Sequence, residues 1–319
     1  MWNRLHIATP ITEVKEMSTA KIAVIGSLNI DMVTETTVVP EQGETIIGSG
    51  FSSFTGGKGA NQAVACARLG AQVTMIGCVG EDAMAMQLRE ALGREGIDMR
   101  HVKTVPHQST GIAAITVCDS DNRIIVVPGA NYCLLPEDVL ALEDVIAASD
   151  IVMLQHEIPP ATVEAAIRLA NKLGVRVILN PAPAMRLDDE LLRQLYLITP
   201  NEYELAIVTG TEQLAQTQEQ RLAAYPHPIV MTAGSNGAYY RSDESGTGHV
   251  PGRKVEAVDT TGAGDTFNGA LAVRLSEGAA LAEAVAFAVA ASALSVTKLG
   301  AQSGMPLRHE VEAFLQGEQ

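Results

Sequence analysis

The chain has 319 residues, 47% of them hydrophobic and only 4% aromatic, so a large core has to be built from Ala, Val, Leu and Ile, as in a buried parallel sheet. Its 22 Lys and Arg face 37 Asp and Glu, a net charge of −15 with no basic run able to follow a nucleic-acid backbone, which excludes nucleic acid as a partner. The four cysteines (Cys66, Cys78, Cys118, Cys133) form no C-x-x-C pair and stand by no histidine at ligand spacing, so they indicate reduced thiols and neither a zinc site nor a disulfide framework.

Residues 1–20 read as an N-terminal extension, with Met17 just ahead of the first strand. Glu13, Lys15 and Glu16 fall where a signal peptide needs an apolar core. The longest uncharged apolar run, Ala284 to Val296, is short of the ~20 residues that span a bilayer and reads as a buried helix. No membrane partner and a cytoplasmic location are expected.

From Lys21 onward, short β-branched runs alternate with amphipathic stretches, which predicts a three-layer, doubly wound, mostly parallel α/β sheet. The predicted strands are Ile22–Ile25, Val73–Val79, Ile151–Leu154, Val175–Leu179, Leu197–Ile198 and Ile229–Met231. Helices are predicted over Ala60–Leu69, Met84–Leu92, Pro136–Ala147, Ala161–Leu173, Glu202–Val208 and from Thr266 through Leu275. Two regions break this rhythm: Met32 to Phe54 and Gly111 to Val127 read as paired strands around polar turns, Pro40-Glu41-Gln42-Gly43 and Asp119-Ser120-Asp121-Asn122. Together they predict a small β-sheet lid (32–54 and 111–127) over a main domain of 21–31, 55–110 and 128–319. Such a lid would keep water from a transferring group.

Ligands of open α/β sheets bind beyond the carboxyl ends of the strands, and those positions are polar here: Asn29, Asp31, His156, Glu157, Asn180, Asn201, Glu204 and Thr232. Asn29 and Asp31, two apart after the first strand, either share a polyol's hydroxyls or cap a turn. Gly56-Gly57-Lys58-Gly59-Ala60-Asn61 is either a loop that lets backbone approach a ligand or a plain tight turn, and it is not a Walker A loop. Asn201 and Glu204 have the spacing of a helix capping box. His156 lacks a catalytic-triad context and reads as a rim histidine.

The most specific string is Asp259-Thr260-Thr261-Gly262-Ala263-Gly264-Asp265, which sets a glycine-loosened turn and one carboxylate at a helix start. Backbone N–H groups and the helix dipole suit an anion there, and Asp265 suits removal of a proton from a hydroxyl attacking phosphorus. An aspartate in a first helical turn is also a common stabiliser.

Taken together, Gly26-Ser27-Leu28-Asn29-Ile30-Asp31, Gly56 through Ala63, Pro128-Gly129-Ala130-Asn131, Asn180-Pro181-Ala182-Pro183, Thr199-Pro200-Asn201-Glu202 and Asp259 through Asp265 resemble the ribokinase (PfkB-type) family of sugar kinases, in family order from Lys21 to the C-terminus. The resemblance is strongest to the ribose-phosphorylating branch, through Gly-Gly-Lys-Gly-Ala-Asn and Gly300-Ala301-Gln302. It implies transfer of phosphate from ATP to the 5-hydroxyl of D-ribose, with other sugars or nucleosides as alternatives. It also implies that Asp265 is the general base and that Gly262, Ala263 and Gly264 form the anion hole. Asn29, Asp31, Gly57, Lys58, Asn61 and Glu157 would hold the sugar, Asn201 and Glu204 would organise phosphate and water-bound Mg²⁺, and Thr232, Gly234, Ser235 and Gly237 would line the nucleotide site. Asp259, with Thr261, Ser295, Lys298, Gly300 and Ser303, resembles the family's K⁺ site, and the lid resembles the surface through which relatives form homodimers.

Three positions depart from the family pattern: Ser303-Gly304 displaces a serine by one place, Val289 replaces His or Asn near the adenine, and His156 replaces a leucine. A dehydrogenase reading finds no G-x-G-x-x-G after the first strand, and a non-catalytic sugar-binding regulator would not need Asp265 and its glycines.

Overall fold

The structure, a computed structural model, describes residues 19–118, 121–210 and 217–317. Thirteen strands are described, and they build two sheets: β1 Lys21–Ile25, β2 Asn29–Glu35, β3 Gly50–Gly56, β4 Gln72–Gly80, β5 Asp98–Val105, β6 Gly111–Cys118, β7 Asp121–Val127, β8 Ile151–Gln155, β9 Arg176–Asn180, β10 Leu197–Ile198, β11 Ile229–Thr232, β12 Ala238–Ser242 and β13 Gly246–Val250. The large sheet runs β13-β12-β11-β10-β9-β8-β1-β4-β5 and is parallel except at the β12 and β13 edge. The small sheet runs β3-β2-β6-β7, two antiparallel pairs joined by a parallel β2–β6 ladder.

The interior strand β1 explains the layering. Every other side chain of a strand points to the same face: Ile22 and Val24 join one core, and Ala23 and Ile25 the other. Strand β8 repeats the division, with Ile151 and Met153 on the first side and Val152 and Leu154 on the second. Helices Lys58–Arg68, Ala83–Arg94, Ala263–Ser276 and Leu281–Ser295 supply residues to the first core, and Pro160–Lys172 and Glu202–Thr209 to the second. Fully burying each such aliphatic side chain stabilises the fold by about 1.5–3 kcal/mol, so a strand apolar on both faces is held from both sides.

Some expectations change. The stretch Pro136–Ala147 forms two short helices, Pro136–Leu140 and Glu143–Ala147, because the chain turns at Ala141 and Leu142. Strand β5 is a polar edge strand whose alternation is hidden by Arg100, His101 and Lys103. The β12–β13 hairpin, rich in glycine and tyrosine, also carried no strand signal strong enough to read. The first lid pair is not a tight hairpin, since residues 36–49 intervene and Pro40-Glu41-Gln42-Gly43 lies within that connection. Of the second turn, Asp119 and Ser120 lie outside the described residues, as does most of the N-terminal extension. Among the described residues no helix is long and apolar enough to cross a membrane.

Candidate active site

Strand β1 continues to β4 on one side and, much later, meets β8 on the other, which makes the β1/β8 border the switch point of the sheet. Crevices open beyond strand ends at such points. Here the turn after β1 presses against the start of helix Lys58–Arg68: a Cβ on Gly59 would lie 2.6 Å from Ser27 N and 2.8 Å from Gly26 Cα. The close crossing lets Glu157, just past β8, tie the two segments together, accepting Ser27 Oγ at 2.5 Å and Lys58 N at 3.0 Å.

Strand β2 leaves this crossing with Asn29 and Asp31 near its start, so residues read as a possible turn cap are part of a ladder with β3 and β6. Asn29 is buried and its Oδ1 accepts Asn131 Nδ2 at 2.7 Å, while Leu28 N donates to Asn131 Oδ1 at 2.9 Å. The Asn29 amide is thereby oriented with its carbonyl end occupied. Among the described residues its NH₂ end engages no acceptor and can donate to a ligand.

Asp265 lies in the first turn of helix Ala263–Ser276 and is 7% exposed. Both carboxylate oxygens are held from the neighbouring helix Lys58–Arg68: Asn61 Nδ2 donates to Oδ2 at 2.9 Å and Gln62 Nε2 to Oδ1 at 3.1 Å. Gln62 is itself aimed by Gln155 Nε2, which donates to its Oε1 at 2.7 Å. The reach depends on how closely the helices pack. A Cβ on Gly269 would come within 2.5 Å of Ala65 Cβ, so glycine one turn after Asp265 sets the spacing.

The charges of Asp265, Glu157 and Glu204 act on Lys58, and those of Glu157 and Asp265 act on Asp31. Burial pushes the Asp265 carboxyl up, against the pull of Lys58, Asn61 and Gln62. Burial, with the charges of Glu157 and Asp265, brings Asp31 up to about 6. Burial also works against the Lys58 ammonium, but Asp265, Glu157 and Glu204 offset it and hold it above its usual range. A raised carboxylate beside a fixed cation is a common arrangement for a general base.

Gly262, at φ 78°, caps helix Ala263–Ser276 in a left-handed conformation that favours glycine. Ala263 N–H is taken by Thr260 O at 3.2 Å and Thr266 N–H by Gly262 O at 2.8 Å. Among the described residues the N–H groups of Gly262, Gly264 and Asp265 have no acceptor, so they and the helix dipole are available to an anion. On this side lies a cavity of about 590 Å³ that gathers Thr232, Gly234, Ser235 and Gly237 with Ala263, Gly264 and Val289. Sequence reading missed Lys254, Val255, Phe267 and Ser292, which line the same space.

Asn201 and Glu204 form the capping box, each backbone N–H donating to the other's side chain at 2.8 Å. Burial raises the Glu204 carboxyl, opposed by the Asn201 N–H and by Lys58. Asp259 Oδ1 accepts from Thr261 N at 2.9 Å and Thr261 Oγ1 at 2.7 Å, and Oδ2 from Gly300 N at 2.8 Å. Against the cost of burial, these bonds hold its carboxyl below the usual range. The carbonyls of Ser295 and Lys298 both turn toward Gly304, where a Cβ would lie 2.3 Å from the first and 3.6 Å from the second. Ser303 Oγ is turned to Leu299 O.

The profile of pfkB family carbohydrate kinases matches residues 19–308. The chain belongs to this family. A ribokinase of Lactococcus lactis is 44% identical over 296 residues, 92% of this chain and 97% of that one. A deoxyribokinase of Salmonella typhi is 37% identical over 301 residues, with 92% and 98% covered. The structure of Arabidopsis thaliana ribokinase complexed with ribose and ATP superposes with a TM-score of 0.86 at 33% identity, covering 94% of this chain and 99% of that one.

Within the pfkB family framework, His156 sits 5% exposed with Nδ1 3.2 Å from Pro183 O and burial lowering its pKa to about 4, so it is a neutral residue behind Glu157. Gln62, Asn131 and Gln302 belong to the motif strings, yet no role was read for them. Their signal was chemical: Gln62 is a carboxamide in an otherwise small and apolar helical run, Asn61-Gln62-Ala63-Val64-Ala65.

Proposed function

We propose that the protein transfers the γ-phosphate of ATP to the 5-hydroxyl of D-ribose. The observation that carries this reading is Asp265, buried, held on both oxygens by Asn61 and Gln62, at a helix start that faces a cavity of about 590 Å³. Asn29, Asp31, Gly57, Lys58, Asn61 and Glu157 would bind and orient the sugar. Asp265 would take the 5-hydroxyl proton as that oxygen bonds to the γ-phosphorus. The bond from the γ-phosphorus to the β–γ bridging oxygen then breaks, and ADP leaves. The free N–H groups of Gly262 and Gly264 would meet charge on the transferring phosphoryl group, the main stabilising term in such reactions. Ala263 would line the turn, its own N–H being committed to Thr260.

Mg²⁺ would neutralise phosphate charge, and such ions keep several waters and need only one or two protein carboxylates. Glu204 and Asn201 fit an ion held through water. The convergence of the Ser295 and Lys298 carbonyls on side-chain-free Gly304, beside Asp259, Thr261, Gly300 and Ser303, suits a large monovalent cation such as K⁺. The small sheet would act as a lid. It exposes apolar side chains on both faces, Phe51 and Ile125 on one and Phe54 and Ile124 on the other, and this exposed apolar surface supports a homodimer through the lids. Light scattering that finds a monomer at high concentration would remove that part. The four free cysteines suit a reducing, cytoplasmic setting.

ATP consumption across ribose, 2-deoxyribose, fructose and nucleosides tests the reading, with the highest kcat/KM expected for ribose. A higher value for any other acceptor would reassign the substrate and leave the kinase chemistry standing.

A further inference from the structure

A chain of hydrogen bonds, with every donor pointing the same way, runs from the lid to the general base. Thr55 Oγ1, on β3, donates to Gln302 Oε1 at 2.6 Å; Gln302 Nε2 donates to Asn61 Oδ1 at 2.9 Å; Asn61 Nδ2 donates to Asp265 Oδ2 at 2.9 Å. We propose that Gln302 is a positioning residue that holds the Asn61 amide with its NH₂ end on Asp265 throughout the catalytic cycle. The inference rests on the reading of Asp265 as general base.

A carboxamide has a donor end and an acceptor end of nearly equal size, so a flip costs little sterically and reverses its hydrogen bonding. While Asp265 is ionised, its charge alone selects the NH₂ end. Once it has taken the sugar's proton it becomes a donor, and Asn61 Oδ1 would then be an equally good partner. That flipped pair would trap the proton on Asp265 and slow its return to solvent. Gln302 opposes the flip by occupying Asn61 Oδ1, so Asn61 can turn over only if Gln302 turns with it, and Thr55, whose hydroxyl can donate or accept, steadies the far end of Gln302.

The backbone beneath Gln302 is fixed independently. Arg68 Nη1, on the helix that carries Asn61, donates to Gln302 O at 2.6 Å and Met305 O at 2.9 Å, and the same guanidinium pairs with Glu95. Gln302 follows Gly300, whose N–H is bound by Asp259, so the relay starts from a segment anchored at two points.

The test is steady-state kinetics from pH 5 to 9 on the full chain, comparing wild type with Gln302→Ala, Gln302→Glu and Thr55→Val. With Gln302→Ala, kcat should fall about 5–10-fold, the effect of one lost hydrogen bond, with both KM values within about twofold and the acid limb of kcat moved to higher pH. Gln302→Glu should be worse than Gln302→Ala, because its carboxylate faces Asn61 Oδ1 and favours the flipped amide. Thr55→Val should shift kcat and the acid limb in the same direction by less. Unchanged kcat and acid limb in Gln302→Ala, an effect confined to KM, or Gln302→Glu no worse than Gln302→Ala would each overturn the proposal. If the Gln302 variants fail to fold, Thr55→Val decides, and a profile like wild type counts against it. Wild type on ribose and Asp265→Asn are run alongside. Inactivity on ribose overturns only the substrate, and the Gln302 comparison then uses whichever sugar reacts; near-normal turnover by Asp265→Asn overturns the base and this proposal with it.

Discussion

Asn61 Nδ2 stands 2.9 Å from Asp265 Oδ2, so the carboxylate at the start of one helix is aimed by a residue of another. Asp265→Asn keeps the size of the group and removes its ability to accept a proton. We expect kcat to fall roughly 10²–10⁴-fold, the usual range for a general base, with much smaller changes in KM. Near-normal turnover in a folded Asp265→Asn enzyme would remove this residue from the mechanism.

Asp31 is expected to trade stability for binding. Its pKa rises from an ordinary 3.8 to about 6 on folding, so between these values the folded chain keeps a proton that the unfolded chain has released. Stability falls as pH climbs through that window and stays lower above it. Asp31→Asn should therefore be more stable than wild type by about 2 kcal/mol at pH 7, after allowing for solvent screening, while binding sugar poorly. Thermal melts of both without ligand should coincide near pH 4 and separate by pH 6. A variant that melts lower at pH 7 would contradict this.

Gly269→Ala probes the helix spacing. The added methyl would meet Ala65 Cβ at 2.5 Å, and moving the helices apart lengthens the reach of Asn61 and Gln62 to Asp265. A loss of about 1–3 kcal/mol of stability is expected from overpacking. Activity should drop further than the folded fraction explains. Wild-type melting and turnover would show that the helices tolerate the methyl.

The buried Asn29 amide predicts a preference for ribose over 2-deoxyribose. A site built to bond a hydroxyl leaves its own donor unpaired when that hydroxyl is missing, at about 1–3 kcal/mol, or roughly a 10–150-fold preference. Asn29→Leu should erase most of it. If wild type turns over 2-deoxyribose as well as ribose, Asn29 does not carry the selectivity.

K⁺ should raise the rate by steadying the turn from Asp259 to Gly262 against Gly300 and Ala301. Assays at matched ionic strength with K⁺ or a bulky organic cation compare the two directly. Equal rates would sink the idea.

Much of this arrangement was legible because it rests on local rules. The β-branched runs gave six of the nine strands of the large sheet, and the polar residues just past them gave most of the crevice. Strand β5 and the β12–β13 hairpin were not legible, since at the two ends of the sheet their side chains are mostly half-buried or exposed and need not be apolar. The site showed the same limit. Asp265 announced itself by its glycines, whereas Gln302 acts on Asn61, 241 positions away in the chain, and Asn131 on Asn29, 102 away. No spacing rule reaches across such separations.

Strand β1 is among the first elements in the chain, yet its partner β8 lies far along it: Ile22 pairs with Ile151, and Lys21 N reaches Asp150 across 129 positions. The middle of the sheet therefore cannot close locally, and chains dominated by such distant pairings fold slowly because loop entropy is lost before contacts repay it. While the chain is being made, one edge of this apolar strand waits unpaired until β8 emerges. Refolding at high concentration should accordingly lose more material to aggregation than refolding at low concentration.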